Sequence, residues 1–116
     1  MIDHVGILVK NLAQSKEFYT QVLQPLGHKV ELEYPQGVGF GKNAMFNITE
    51  GSSSNTHFAF RANSREEVDR FYETALKIGA KDNGAPGLRS QYGDNYYAAF
   101  VYDLDGNNLE VVYRGP

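Results

Sequence analysis

The amino-acid sequence predicts an α+β fold: two βαβββ modules forming one curved, mostly antiparallel sheet around a concave cavity. Three observations lead there. The chain repeats at a fixed offset, with His4 and His57, Phe18-Tyr19 and Phe71-Tyr72, and Leu23 and Leu76 each standing 53 residues apart. Each half carries one amphipathic stripe of helical period among short apolar runs of strand length. Those runs are parted by Gly, Pro and Asn rather than by further helices, so the order is not the alternating βαβα of a doubly wound sheet. The 116 residues make a single domain, 1–116, with module one at 1–54 and module two at 55–116.

Each element follows from local signals. HVGILV at His4–Val9 reads as the first strand. Asn11-Leu12-Ala13-Gln14 opens a helix whose stripe is Ser15, Phe18, Tyr19, Val22, Leu23 and Leu26, closed by Pro25 and Gly27. Three short strands follow at Lys29–Tyr34, Val38–Gly41 and Ala44–Thr49, and Gly51–Asn55 is a polar linker. The second half repeats the plan. His57–Ala62 is a strand, and Ser64-Arg65-Glu66-Glu67 is a capping box. Val68, Phe71, Tyr72, Ala75, Leu76 and Gly79 form its helical stripe. A weak strand is expected around Ala80–Asn83, followed by a long Gly- and Pro-bearing loop to Asn95. The last strands, Tyr96–Asp103 and Leu109–Tyr113, are joined at Asp105-Gly106, a hairpin signal. The paired aromatics Phe18, Tyr19, Phe71 and Tyr72 belong to the core.

Composition narrows the chemistry. The chain has no Cys, so thiolate catalysis, disulfides and iron–sulfur clusters are excluded. It has three His, at positions 4, 28 and 57, and any imidazole chemistry must use them. The net charge is −3 with no basic run, which argues against nucleic acid as a partner. No apolar stretch reaches the length of a membrane span, and His4 leaves no room for a leader before the first strand, so a cytoplasmic location is expected.

Strand alternation sorts the candidate ligands. Val5, Ile7 and Val9 should face the helix, which turns His4 the other way. Phe58 and Phe60 should face it in the second half, which turns His57, Ala59 and Arg61 away. Leu109, Val111 and Tyr113 leave Asn108, Glu110 and Val112 on the histidine side. If the sheet curves, His4, His57 and Glu110 converge on its concave face as a divalent-metal site. Imidazole nitrogen with carboxylate oxygen suits Mn, Fe, Zn, Ni or Co. Such an ion polarises a bound oxygen or activates water. His28 lacks a counterpart in the repeat and reads as a surface residue.

The stretches IDHVGILVKNLAQSKEFYTQVL and DLDGNNLEVVY carry a resemblance to the vicinal oxygen chelate superfamily. That superfamily includes lactoylglutathione lyase (glyoxalase), bleomycin-resistance protein, fosfomycin-resistance enzymes and extradiol dioxygenases. The resemblance spans the whole chain and implies that His4, His57 and Glu110 are metal ligands. The fourth ligand position falls on Asn47, where lactoylglutathione lyases carry a carboxylate, so the set looks more like the fosfomycin-resistance or dioxygenase arrangement. The loop before Tyr96 holds no His for acid–base work. Arg89, Gln91, Tyr92, Tyr96 and Tyr97 are candidates to line the pocket mouth for an anionic, oxygenated substrate. Tyr92 and Tyr97 are the candidate proton-transfer groups, and Asn47 and Arg61 are further substrate contacts. The resemblance implies a divalent-metal-dependent enzyme acting on a small oxygenated molecule, and a homodimer. A non-catalytic, bleomycin-resistance-like sequestration protein is the alternative.

Overall fold

The computed structural model describes residues 2–116. The chain runs β1 (Val5–Val9), α1 (Leu12–Leu23), β2 (Val30–Tyr34), β3 (Gly37–Phe40), β4 (Phe46–Glu50), β5 (His57–Arg61), α2 (Arg65–Lys77), β6 (Lys81–Leu88), β7 (Tyr97–Tyr102) and β8 (Asn108–Tyr113), with short 3-10 turns at Gln24–Leu26 and Lys42–Ala44. This is βαβββ twice, and the α+β class stands.

The strands form two four-stranded sheets, ordered β1-β4-β3-β2 and β5-β8-β7-β6, in place of one continuous sheet. In each sheet the first and last strands of the module pair in parallel and the other pairings are antiparallel. Side chains rather than a ladder fill the junction. The Phe46 ring lies 5.0 Å from Phe58 and 5.1 Å from Phe60, centroid to centroid. Both β1 and β5 are left as sheet edges.

The helices form where the periodicity and caps place them. The Asn11 side chain accepts from the Gln14 amide, and the Ser64 hydroxyl from the Glu67 amide at 3.2 Å. Glu67 reaches back one residue further than a standard capping box, accepting from the Asn63 amide at 2.9 Å. Ser64→Ala should cost about 1 kcal/mol, read as a lower midpoint of chemical unfolding. Gly27 ends the first helical segment at φ 83°, a left-handed conformation that a Cβ would strain.

Two local expectations change. β6 continues to Leu88 through Gly84, Pro86 and Gly87, a stretch that reads as a loop. It can do so because it is an edge strand. A proline there forfeits no interior ladder bond, and register shifts at Asp82/Gly84 and Gly84/Gly87 absorb the glycines. Val5 is exposed at the β1 edge, so only Ile7 and Val9 of that strand enter the core.

One apolar core serves both modules, and α1 packs against α2. The turn between β7 and β8 ties them together. The Tyr19 hydroxyl on α1 donates to the buried Asp103 carboxylate. That carboxylate also accepts from the Asp105 amide (2.9 Å), the Asn107 amide (2.8 Å) and the Asn107 side chain (3.0 Å). Asp105 accepts from the Lys10 amide at 3.0 Å, and Asn107 from the Thr56 amide at 2.8 Å. Three side chains of this turn, Asp103, Asp105 and Asn107, thus hold α1, the residue Lys10 before it and the end of the inter-module linker at Thr56.

Candidate functional site

β5 and β8 run in parallel with His57 opposite Asn108 and Ala59 opposite Glu110, so His57 and Glu110 emerge on one face. His57 Nε2 stands 3.3 Å from Glu110 Oε1. The imidazole's other nitrogen, Nδ1, lies 2.9 Å from the Asn108 carbonyl. That carbonyl can only accept, so Nδ1 carries the proton in the neutral ring and Nε2 presents its lone pair to the cleft. Phe100 stacks along His57, with centroids 6.4 Å apart and planes 22° apart.

Glu110 is buried, with a relative exposure of 4%. Its second oxygen accepts from the Tyr96 hydroxyl. Burial, followed by this hydrogen bond and the carboxylate's charge, pushes the Tyr96 phenol up to about 12, with Arg114 pulling the other way. Tyr96 therefore keeps its proton at neutral pH and acts as a standing donor to Glu110. Tyr92 sits edge-to-face on Tyr96 at 5.3 Å. His57, Tyr92, Tyr96, Phe100, Asn108 and Glu110 enclose a cleft of about 360 Å³.

The structure distributes the remaining candidates. His4 is exposed, with Nδ1 on Asp3 at 2.8 Å. It lines a different cavity, of about 530 Å³, together with His28, Arg61 and the aromatic floor of Phe46, Phe58 and Phe60. His28 is thus half-buried at that cavity, and burial lowers its pKa against a smaller opposing pull from Glu67. Among the described residues, no three of His, Asp and Glu are grouped closely enough to hold a metal ion. One chain therefore supplies the His57–Glu110 pair and keeps His4 apart from it. Asn47 donates to the Ala44 carbonyl at 2.8 Å within the first sheet. Tyr97 is a correction. It points to the helix side, donating to Asp69 at 2.6 Å beneath the Arg65 guanidinium, and does not reach the cleft. Its neighbour Tyr96 takes the position beside Glu110. The signal lay in strand parity, because Tyr97 shares a face with Ala99 and Val101, both buried in the core.

Comparison with known proteins supplies the family. A profile of the Glyoxalase/Bleomycin resistance protein/Dioxygenase superfamily matches residues 1–111. The trivalent organoarsenical cleaving enzyme of Bacillus sp. (strain MD1) is 31% identical over 122 aligned residues, covering 95% of this chain and 71% of that protein. The crystal structure of a glyoxalase/bleomycin resistance protein from Albidiferax ferrireducens T118 superposes with a TM-score of 0.85 at 27% identity, covering 97% and 98% of the two chains. A variant of the fosfomycin resistance protein FosX from Listeria monocytogenes, complexed with Mn(II) and a dihydroxypropylphosphonic acid, shares the fold at a TM-score of 0.73 and 21% identity, covering 97% and 88%. By the family profile and by the fold, this chain belongs to the glyoxalase/bleomycin resistance protein/dioxygenase superfamily.

Proposed function

We propose that this protein is a divalent-metal-dependent enzyme acting on a small oxygenated molecule, with His57 and Glu110 as two of the metal ligands and His4 of the partner subunit of a homodimer as the third. The observation that carries this reading is the His57–Glu110 pair. Two donor atoms 3.3 Å apart suit adjacent positions around an ion bound at roughly 2.0–2.2 Å to each. The imidazole is oriented by a backbone carbonyl and the carboxylate by a phenol, the pattern of outer hydrogen bonds that fixes metal ligands. A bound ion would supply Lewis-acid polarisation of a substrate oxygen. The chain's own groups do the rest. Glu110 brings one negative charge, Tyr96 holds its carboxylate in place, and Phe100 and Tyr92 wall the cleft.

The same geometry supports a dimer. His4 opens a second cavity, and β1 and β5 each end a sheet with unpaired backbone groups. A two-fold axis that brings His4 of one copy to His57 of the other closes two identical sites at once. The membership of catalysts and binders in one superfamily makes metal uptake the deciding measurement. Purified protein should hold near-stoichiometric metal, or take it up from Mn, Fe, Ni, Co or Zn. Glu110→Gln and His57→Ala should weaken binding by more than about 100-fold. Tyr96→Phe should weaken it by about 10- to 100-fold, the usual loss when a ligand's supporting hydrogen bond is removed. Wild-type protein that takes up none of these ions overturns the reading and leaves sequestration of a ligand in its place.

A further inference from the structure

Beside the His57 cleft, and sharing Tyr92, Phe100 and Asn108 with it, lies a recess of about 350 Å³ that also contains Arg89, Gln91 and Asn83. Its arginine is held from several sides. Arg89 Nη1 donates to the Gly87 carbonyl and Nη2 to the Ala85 carbonyl, each at 2.8 Å. The guanidinium carbon lies 5.5 Å from the centre of the Phe100 ring. Two glycines make room for it. A Cβ at Gly84 would stand 3.1 Å from Nη2, and one at Gly87 would stand 3.2 Å from Nη1. Among the described residues no carboxylate pairs with Arg89. A guanidinium has five N–H donors, so the two carbonyls leave three unspent. A second arginine without a carboxylate partner among the described residues, Arg114, lies 4.9 Å from the Tyr96 ring but opens onto a different hollow with Arg61 and Tyr113, so Arg89 is the cation of this recess.

We propose that this recess is an anion subsite, in which Arg89 holds a carboxylate-, sulfonate- or phosphonate-type head of the ligand while the ligand's planar body lies against Phe100 and Tyr92. The inference rests on the reading of the His57–Glu110 cleft as the ligand site and adds a constraint to it. Phe100 touches His57 and Arg89 alike, so the negative head sits one aromatic ring away from the His57–Glu110 pair. The anionic group is then separate from the oxygens presented to the metal, and its recognition needs no metal. A fixed guanidinium without a competing carboxylate binds such a head in paired hydrogen bonds, with little reorganisation to oppose it.

The test is a titration of metal-free, nitrogen-15-labelled protein with benzenesulfonate and with its neutral isostere benzenesulfonamide. Sulfonate should bind about tenfold more tightly, the increment of one charge-assisted contact, and should shift the Arg89 Nε–H resonance. In Arg89→Gln the ratio should fall to about one while the sulfonamide affinity is retained. Equal affinities in the wild type, no saturable binding of either compound, or an undiminished preference in the variant overturns the proposal. Loss of both ligands in the variant also overturns it, because Arg89 would then be only a brace for its strand. Metal uptake is measured separately, so failure of the metal reading and failure of the anion subsite remain distinguishable.

Discussion

Mixing His4→Ala chains with Glu110→Gln chains, by unfolding and refolding them together, should restore metal binding that neither variant has alone. In a shared site each variant homodimer is damaged twice, once in each site. The mixed dimer is different. The Glu110→Gln chain donates its intact His4 to the intact His57–Glu110 pair of the His4→Ala chain, and the second site collects both defects. With random pairing of equal amounts, about half of the dimers are mixed and each has one working site, so occupancy should reach roughly a quarter of wild type. A site built within one chain gives no recovery at any mixing ratio. The physical ground is the separation of His4 from the His57–Glu110 pair, which lie in different cavities of the same chain.

Asp103→Ala should destabilise the protein by about 3–5 kcal/mol, out of the 5–15 kcal/mol typical of a whole domain. Four donors converge on that buried carboxylate: the Tyr19 hydroxyl, the Asp105 amide, and the amide and side chain of Asn107. Alanine removes every acceptor at once and leaves the buried donors, the Tyr19 hydroxyl and the Asn107 amide and side chain, without a partner, which is costlier than losing the bonds alone. Tyr19→Phe, which deletes one donor and leaves the carboxylate its other three, should cost about 1–2 kcal/mol. Denaturant unfolding checks both values. A loss below about 1 kcal/mol for Asp103→Ala would show that the turn between β7 and β8 merely connects strands and does not clamp the modules.

The helices, their caps and the hairpin glycines were legible in the sequence because their causes are local. A 3.6-residue stripe, a Ser or Asn three residues before a free amide, and a glycine at positive φ all act within a few residues. β6 was less legible. Gly84, Pro86 and Gly87 spell a loop, and only their place at the edge of a sheet, a tertiary fact, lets them remain a strand. The same limit governs the site. Alternation places His57 and Glu110 on one face, because β5 and β8 are neighbours and parity along each strand suffices. Alternation turns His4 to the corresponding face of its own sheet, yet says nothing of how the two sheets are set against each other. The choice between Tyr96 and Tyr97 depended on a single step of parity, which is legible only when counted back from the buried Ala99 and Val101.

The clamp around Asp103 also sets an order of events during synthesis. Its bonds to Lys10 and Tyr19 span 95 and 84 residues of sequence. Every strand and helix of module one has left the ribosome long before the acceptor for Tyr19 has been made. At about 5–20 residues per second, the first half waits several seconds with one side of α1 uncovered. Contacts of such long span close late and slow folding. A stop or a pause after the linker therefore leaves a half-protein whose apolar helix face is open to chaperones and to other nascent copies. The two modules look interchangeable in their repeat, but the ribosome makes them unequal: the first is the client and the second completes it.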